Sequence, residues 1–246
     1  MKLTWYGTAS ILVETETSSV LFDPFIPMKG SEVPTKAEDF DGRRNIVITH
    51  AHYDHIASLP ALVEREERSI YGTNATVRAL RRHGVAVNQI GIGDELVFGD
   101  IKVTAYRGKH VRIDAKLRRK TVFNKRTFRY CYNLVPLIVG MLRFRERGET
   151  VSYLVEAEGK RVLLFGSMGI ADTDYPKDVD LFVLPYQGRS DLLASALPIL
   201  DRIKPKKVFL DHFDDSFPPF SCTIDTTDVE RAVFAYKPNY GEPFYL

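Results

Sequence analysis

Several things that fix a protein's class are scarce in this chain. Only two cysteines occur, Cys131 and Cys222, and they form neither a zinc nor a redox pattern. No apolar stretch approaches the ~20 residues that span a bilayer. The opening Met1-Lys2-Leu3-Thr4-Trp5-Tyr6 passes straight into strand-like sequence, without the charged start and apolar run of a signal peptide. These features argue against a transmembrane chain and make a reducing, cytoplasmic location the expectation. What is present suits a folded enzyme. With 246 residues and 44% hydrophobic content the chain can bury a sizeable core, and one domain over residues 1–246 is expected.

A net charge of +2 conceals an uneven distribution. From Arg107 to Arg147 the chain carries 13 Lys or Arg residues against only Asp114 and Glu146, a surplus of 11 positive charges; the remainder is acidic by 9. Such a split favours an anionic partner. Nucleic acid is the weaker candidate, because the basic segment interleaves few aromatics (Phe123, Phe128, Tyr130, Tyr132) and carries no recognised nucleic-acid motif.

Elements alternate in the α/β manner. Residues 10–14 and 19–22 read as short strands, 45–49 as another, and 59–65 as a helix. Thr73-Asn74 offers a helix start and Gly84 a stop. Two strand pairs follow, 95–98 with 101–106 across Gly99-Asp100, and 151–156 with 161–165 across Glu158-Gly159-Lys160. Strands at 181–185 and 207–210 flank a helix at 192–203. Residues 10–16 echo residues 152–158, and each is followed by a second strand, which fits a sandwich of two similar halves. Between those halves, residues 111–148 interrupt the strand pattern, and a connection that long is usually functional. Its apolar part, residues 133–142, is expected to be a cover over the site or a dimer contact rather than a lipid-facing helix, because Gly and Pro break any long amphipathic helix there.

One run carries more chemistry than any other: His50-Ala51-His52-Tyr53-Asp54-His55, directly behind the β-branched stretch Asn45-Ile46-Val47-Ile48-Thr49. Three of the six histidines and a carboxylate lie within six residues, at a turn leaving a sheet edge. Imidazole suits zinc and related divalent ions, and a carboxylate adds charge.

The motif resembles the His-X-His-X-Asp-His signature of the metallo-β-lactamase superfamily. The opening Leu3-Thr4-Trp5-Tyr6-Gly7-Thr8-Ala9-Ser10, and Val20-Leu21-Phe22-Asp23-Pro24 after it, resemble that family's small-molecule hydrolase branch, which includes sugar-lactone hydrolases and an N-acyl phosphatidylethanolamine phospholipase D. The resemblance implies a four-layered αββα sandwich, here with the basic insertion at about 111–148. It also implies that His50 and His52 share one metal with a later histidine, for which His110 is the best placed and His83 a poorer choice. Asp54, His55 and His212 would hold a second. A metal-bound water, acidified from ~15.7 to roughly 7, would be the nucleophile. Asp54 would orient it and relay its proton, and His212 would serve the second metal or the leaving group.

There is one departure. Where the family carries a bridging aspartate after a strand, this chain has Gly166-Ser167. A neutral hydroxyl is a weak ligand for a dication, so one firm ion, zinc or alternatively manganese, and a weak or absent second are expected. Asp172 or Asp174 would have to fold back to substitute. Arg107, Lys109 and Ser167 are the expected substrate contacts, with Tyr53 and Tyr186 as pocket phenols. The leading function is hydrolysis of a small anionic ester, lactone or phosphodiester. The alternatives are a nuclease or a non-catalytic metal-binding protein, and the insertion is a candidate for homo-oligomer contact.

Overall fold

Apolar side chains two residues apart decide which way each strand faces. The computed structural model describes residues 1–122, 125–145 and 147–246; residues 123, 124 and 146 of the insertion, Phe123 among them, lie outside that description. The first half comprises β1 (Lys2–Trp5), β2 (Ile11–Glu14), β3 (Ser19–Phe22), β4 (Asn45–Val47), α1 (Tyr53–Ile56), α2 (Leu59–Arg65), β5 (Ser69–Gly72), α3 (Asn74–Arg81) and β6 (Asn88–Gln89). The second begins with β7 (Glu95–Phe98) and β8 (Ile101–Arg107), then the inserted α4 (Ala115–Val122), α5 (Lys125–Arg129) and α6 (Cys131–Arg143). It continues through β9 (Val151–Ala157), β10 (Lys160–Phe165), β11 (Leu181–Pro185), α7 (Leu192–Ile203), β12 (Val208–Asp211), α8 (Thr227–Val233) and β13 (Pro243–Tyr245).

Two mixed sheets result, in the orders β13-β1-β2-β3-β4-β5-β6 and β12-β11-β10-β9-β8-β7. Ile11, Val13, Val20, Phe22 and Val47 join the strands of the second sheet in one buried cluster. Their neighbours Leu12, Leu21 and Ile46 pack instead with Ile56, Leu59, Leu62 and Leu80 of the first three helices. On the second sheet, α7 buries Ala196, Ile199, Leu200 and Ile203, the 3–4 spacing of one helix face. Each fully buried Leu, Ile or Phe side chain contributes roughly 1.5–3 kcal/mol. The outcome is the expected αββα layering.

The echo between residues 10–16 and 152–158 falls on β2 and β9, which hold equivalent places. β1, β2 and β3 pair antiparallel before β3, β4 and β5 run parallel. β8, β9 and β10 pair antiparallel before β10, β11 and β12 run parallel. The parallel strands of both sheets therefore present C-terminal ends, where open α/β sheets place their ligands.

The insertion corrects one expectation. Residues 131–143 form a continuous helix through Pro136 and Gly140. Docking outweighs the local penalty: Asn133 Nδ2 donates to the carbonyls of Lys29 and Pro218, both at 2.9 Å, and Leu137 is buried against Phe25 and Phe217. Gly140 allows the Tyr53 ring to approach; a Cβ there would lie 2.3 Å from Tyr53 Cε2. Gly140→Ala is accordingly expected to lower stability by about 1–3 kcal/mol, despite alanine's better helix propensity. The readout is the thermal midpoint; an unchanged or raised midpoint would show that the ring yields freely. No helix among the described residues is long and apolar enough to cross a membrane.

Candidate metal centre

Five histidines from three separated stretches meet at the C-terminal ends of these strands. His50 and His52 leave β4, with Asp54 and His55 on the single turn α1; His110 follows β8, and His212 follows β12. Ring centroids lie 4.8 Å apart for His50 and His52, 4.4 Å for His52 and His110, 3.9 Å for His50 and His55, and 5.3 Å for His55 and His212. Ligand atoms of His50, His52 and His110 lie within 4.8 Å of one another, as do those of Asp54, His55 and His212. These are the two groups expected from sequence. His83 stands apart, exposed and packed on Phe144.

Oxygen partners behind the rings fix which nitrogens face the centre. His110 Nδ1 donates to the Val111 carbonyl at 2.7 Å. His55 Nδ1 lies 2.8 Å from Asp23 Oδ2, and His50 Nδ1 lies 3.0 Å from Thr49 Oγ1. Thr49 Oγ1 itself donates to Asp23 Oδ2 at 2.5 Å, and the Thr49 amide donates to Asp23 Oδ1 at 2.8 Å. With their Nδ1 atoms engaged, these rings leave Nε2 for a ligand, the arrangement in which metal-binding histidines are usually held. His50 Nε2 and His52 Nδ1 already converge to 3.2 Å. His212 Nδ1 lies 3.2 Å from Asp211 Oδ2, within ion-pair distance but not aligned as a hydrogen bond. The donor set fits a divalent cation.

Asp23 and Thr49 are functional candidates that the reading of the sequence missed as site residues. Asp23 is fully buried at a strand end, and a buried carboxylate needs partners; that was the available signal. Asp23 and His212 both take left-handed backbone conformations, φ 44° and 58°. Such conformations cost about 1–3 kcal/mol in non-glycine residues and cluster at functional sites.

Electrostatics divide the two groups. Burial chiefly holds His50 well below the ordinary imidazole value, and the surrounding histidines add to it. Burial also brings His52 down to about 4, against the pull of Asp54. For Asp54, burial pushes upward, but His55, His52 and His212 outweigh it and hold the carboxyl low. Burial opposes the charge on His212 too, yet Asp211, Asp54 and Asp214 lift it to about 9. A histidine must be neutral to ligate. His50 and His52 therefore meet that condition at neutral pH, whereas His212 must first lose a proton, so metal affinity at the Asp54–His55–His212 group is expected to rise as pH climbs towards 9. Metal titration at a series of pH values measures this; a second binding step whose affinity does not change with pH would contradict it.

A cavity of about 770 Å³ opens over the centre. Its apolar wall includes Ile113, Leu117, Met141, Phe144, Leu192 and Phe217, and its basic side chains are Lys116, Arg145 and Arg189. Tyr53 and Ser167 line it, whereas Tyr186, Arg107 and Lys109 do not. Arg107 and Lys109, the expected substrate contacts, are exposed to solvent. Ser167 Oγ accepts the Val111 amide at 3.0 Å, which steadies the loop bearing His110. Asp172 is fully exposed beside Arg202, 4.0 Å away, and Asp174 is not buried either. Neither folds back to replace the expected bridging carboxylate.

A model of the β-lactamase superfamily domain matches residues 18–213. The chain belongs to the metallo-β-lactamase superfamily. A UPF0173 protein of Pyrococcus abyssi is 26% identical over 209 residues, covering 84% of this chain and 80% of its own. A UPF0173 metal-dependent hydrolase of Carboxydothermus hydrogenoformans is 25% identical over 215 residues, covering 87% and 85%. Among solved structures of the superfamily's fold, the metallo hydrolase Igni18 of Ignicoccus hospitalis aligns with a TM-score of 0.65 at 17% identity, covering 100% of this chain and 98% of its own. An isothiocyanate hydrolase from Delia radicum gut bacteria aligns at 0.64 and 17%, covering 100% and 99%.

Proposed function

We propose that this metal-dependent hydrolase cleaves a small ester or lactone bearing an anionic group on an apolar body. The observation that carries the reading is the placement of both candidate ligand groups in one cavity whose walls are apolar and whose cations are few. His50, His52 and His110 would hold the principal ion; their imidazoles suit zinc, with manganese as the alternative. Asp54, His55 and His212 would hold a second ion weakly, because the neutral Ser167 supplies no bridging charge. A bound ion supplies Lewis acidity and acidifies water.

The chain's own groups do the rest. Asp54, ionised among the imidazoles, takes the proton of the attacking water on its carboxylate. His212, positively charged at neutral pH when it holds no ion, donates a hydrogen bond to the developing oxyanion or to the leaving oxygen. Met141 and Phe144 exclude bulk water, which strengthens these electrostatic contacts. Lys116 and Arg145 take the substrate's anionic group. A polynucleotide fits less well, since these apolar walls offer no continuous basic track for its phosphates.

A matched panel tests this: esters of an apolar acid with and without a carboxylate, the polar counterparts, a bis-aryl phosphodiester and a single-stranded RNA. Zinc-loaded protein is expected to prefer the anionic apolar ester by at least about tenfold in kcat/KM. Lys116→Ala or Arg145→Ala should chiefly raise KM, the signature of binding shared by ground and transition states. Preference for the phosphodiester or RNA would reject the substrate class, and no turnover of any ester would favour a binding role.

A further inference from the structure

Helix α6 turns apolar side chains in two directions. Its inner face, Asn133, Leu137 and Gly140, is buried. Its outer face carries Tyr132, Val135, Ile138 and Leu142, with Val135 70% and Leu142 58% exposed, and Phe128 of α5 is 85% exposed. These outer residues recur every three or four positions, so they form one stripe on the helix. A soluble helix normally turns charged residues outward, and contiguous exposed apolar surface marks an interaction site. The stripe is held firmly from beneath by the Asn133 hydrogen bonds, the Leu137 packing and the ion pair of Arg126 with buried Asp215.

Charge selects the partner. No acidic residue lies between Asp114 and Glu146, and the exposed Lys125, Arg129 and Arg143 lie on either side of the stripe in sequence. A two-fold contact with a second copy would press this basic segment against itself. A head-to-tail contact onto another copy's acidic remainder would balance charge but would build a ring or an open filament rather than a closed pair. An exposed apolar stripe on a helix within a segment rich in cations and poor in acids is what settles into the headgroup region of an anionic bilayer.

We infer that the insertion docks the protein on an anionic lipid surface, with α6 lying in the membrane plane. Met141 and Phe144, which line the cavity, sit at and just beyond the end of this helix. Docking would therefore bring the cavity mouth to the lipid, the side from which an apolar substrate would come. That last link rests on the proposed function; the docking does not.

Flotation of the full chain with vesicles tests it, using phosphatidylcholine alone or with about a third phosphatidylglycerol. Binding is expected to the anionic vesicles only and to weaken as salt rises. Val135→Ser with Leu142→Ser, and separately Arg129→Glu with Arg143→Glu, should each weaken partitioning by at least about tenfold. Zinc stoichiometry should be unchanged in both pairs, which separates lost docking from lost folding and from any failure of the hydrolase reading. No binding to anionic vesicles would overturn the inference. So would equal binding by the variants, or concentration-dependent self-association that the same substitutions abolish.

Discussion

His50→Ala is expected to deprive the protein of its principal divalent ion, with affinity falling by more than about 100-fold and hydrolysis falling with it. The expectation follows from the place of the ring. His50 is 1% exposed, backed by Thr49 and 3.2 Å from His52 across their ring nitrogens. Its low proton affinity keeps the lone pair free at neutral pH. Altering a partner that merely orients a ligand typically costs 10–100-fold in metal affinity, so removing the ligand itself should exceed that range. Water entering the space lacks the ring's fixed direction. Elemental analysis after dialysis, beside circular dichroism to establish folding, is the measurement. A folded His50→Ala protein with undiminished metal would show that this cluster is not the principal site.

How much of this was legible in the sequence depended on whether a signal was local. The helices at 59–65 and 192–203 and the strands at 95–98 and 181–185 stand where the sequence places them, because periodicity and turn residues lie within each segment. β13 was not legible: it pairs with β1 at the opposite end of the chain, and three residues carry no period of their own. Helix α6 was misjudged because contacts with Phe25, Tyr53 and Phe217 outweigh the cost of Pro136 and Gly140. The site divides in the same way. His50, His52, Asp54 and His55 announce themselves in one loop. Asp23 and Thr49 matter through contacts made across the fold. Lys109 is next to His110 in sequence, yet its side chain is exposed while its backbone packs so tightly on Gly169 that a Cβ there would lie 2.3 Å from the Lys109 carbonyl. Lys116 and Arg145 line the cavity instead because the helices bring them back to it.

Asp54→Ala is expected to lower kcat by about 10²–10⁴-fold, the usual loss on removing a general base, while the ion at His50, His52 and His110 stays bound. The two effects separate because Asp54 belongs to the other ligand group. Neighbouring imidazoles outweigh burial and hold its carboxyl below the ordinary carboxylate value, so at neutral pH it is ionised and able to accept a proton. Asp54→Asn gives a sharper comparison, since an amide keeps the shape and accepts a hydrogen bond but does not take the proton. If orientation were the main role, Asn would recover much of the rate; if proton transfer is, Asn and Ala should fail alike. Added formate or acetate should restore part of the Asp54→Ala rate in the second case, because a small carboxylate can enter the space left behind. Full activity in metal-loaded Asp54→Ala would mean that the proton leaves by another group, with His212, of the same ligand group, an alternative once its own proton is gone.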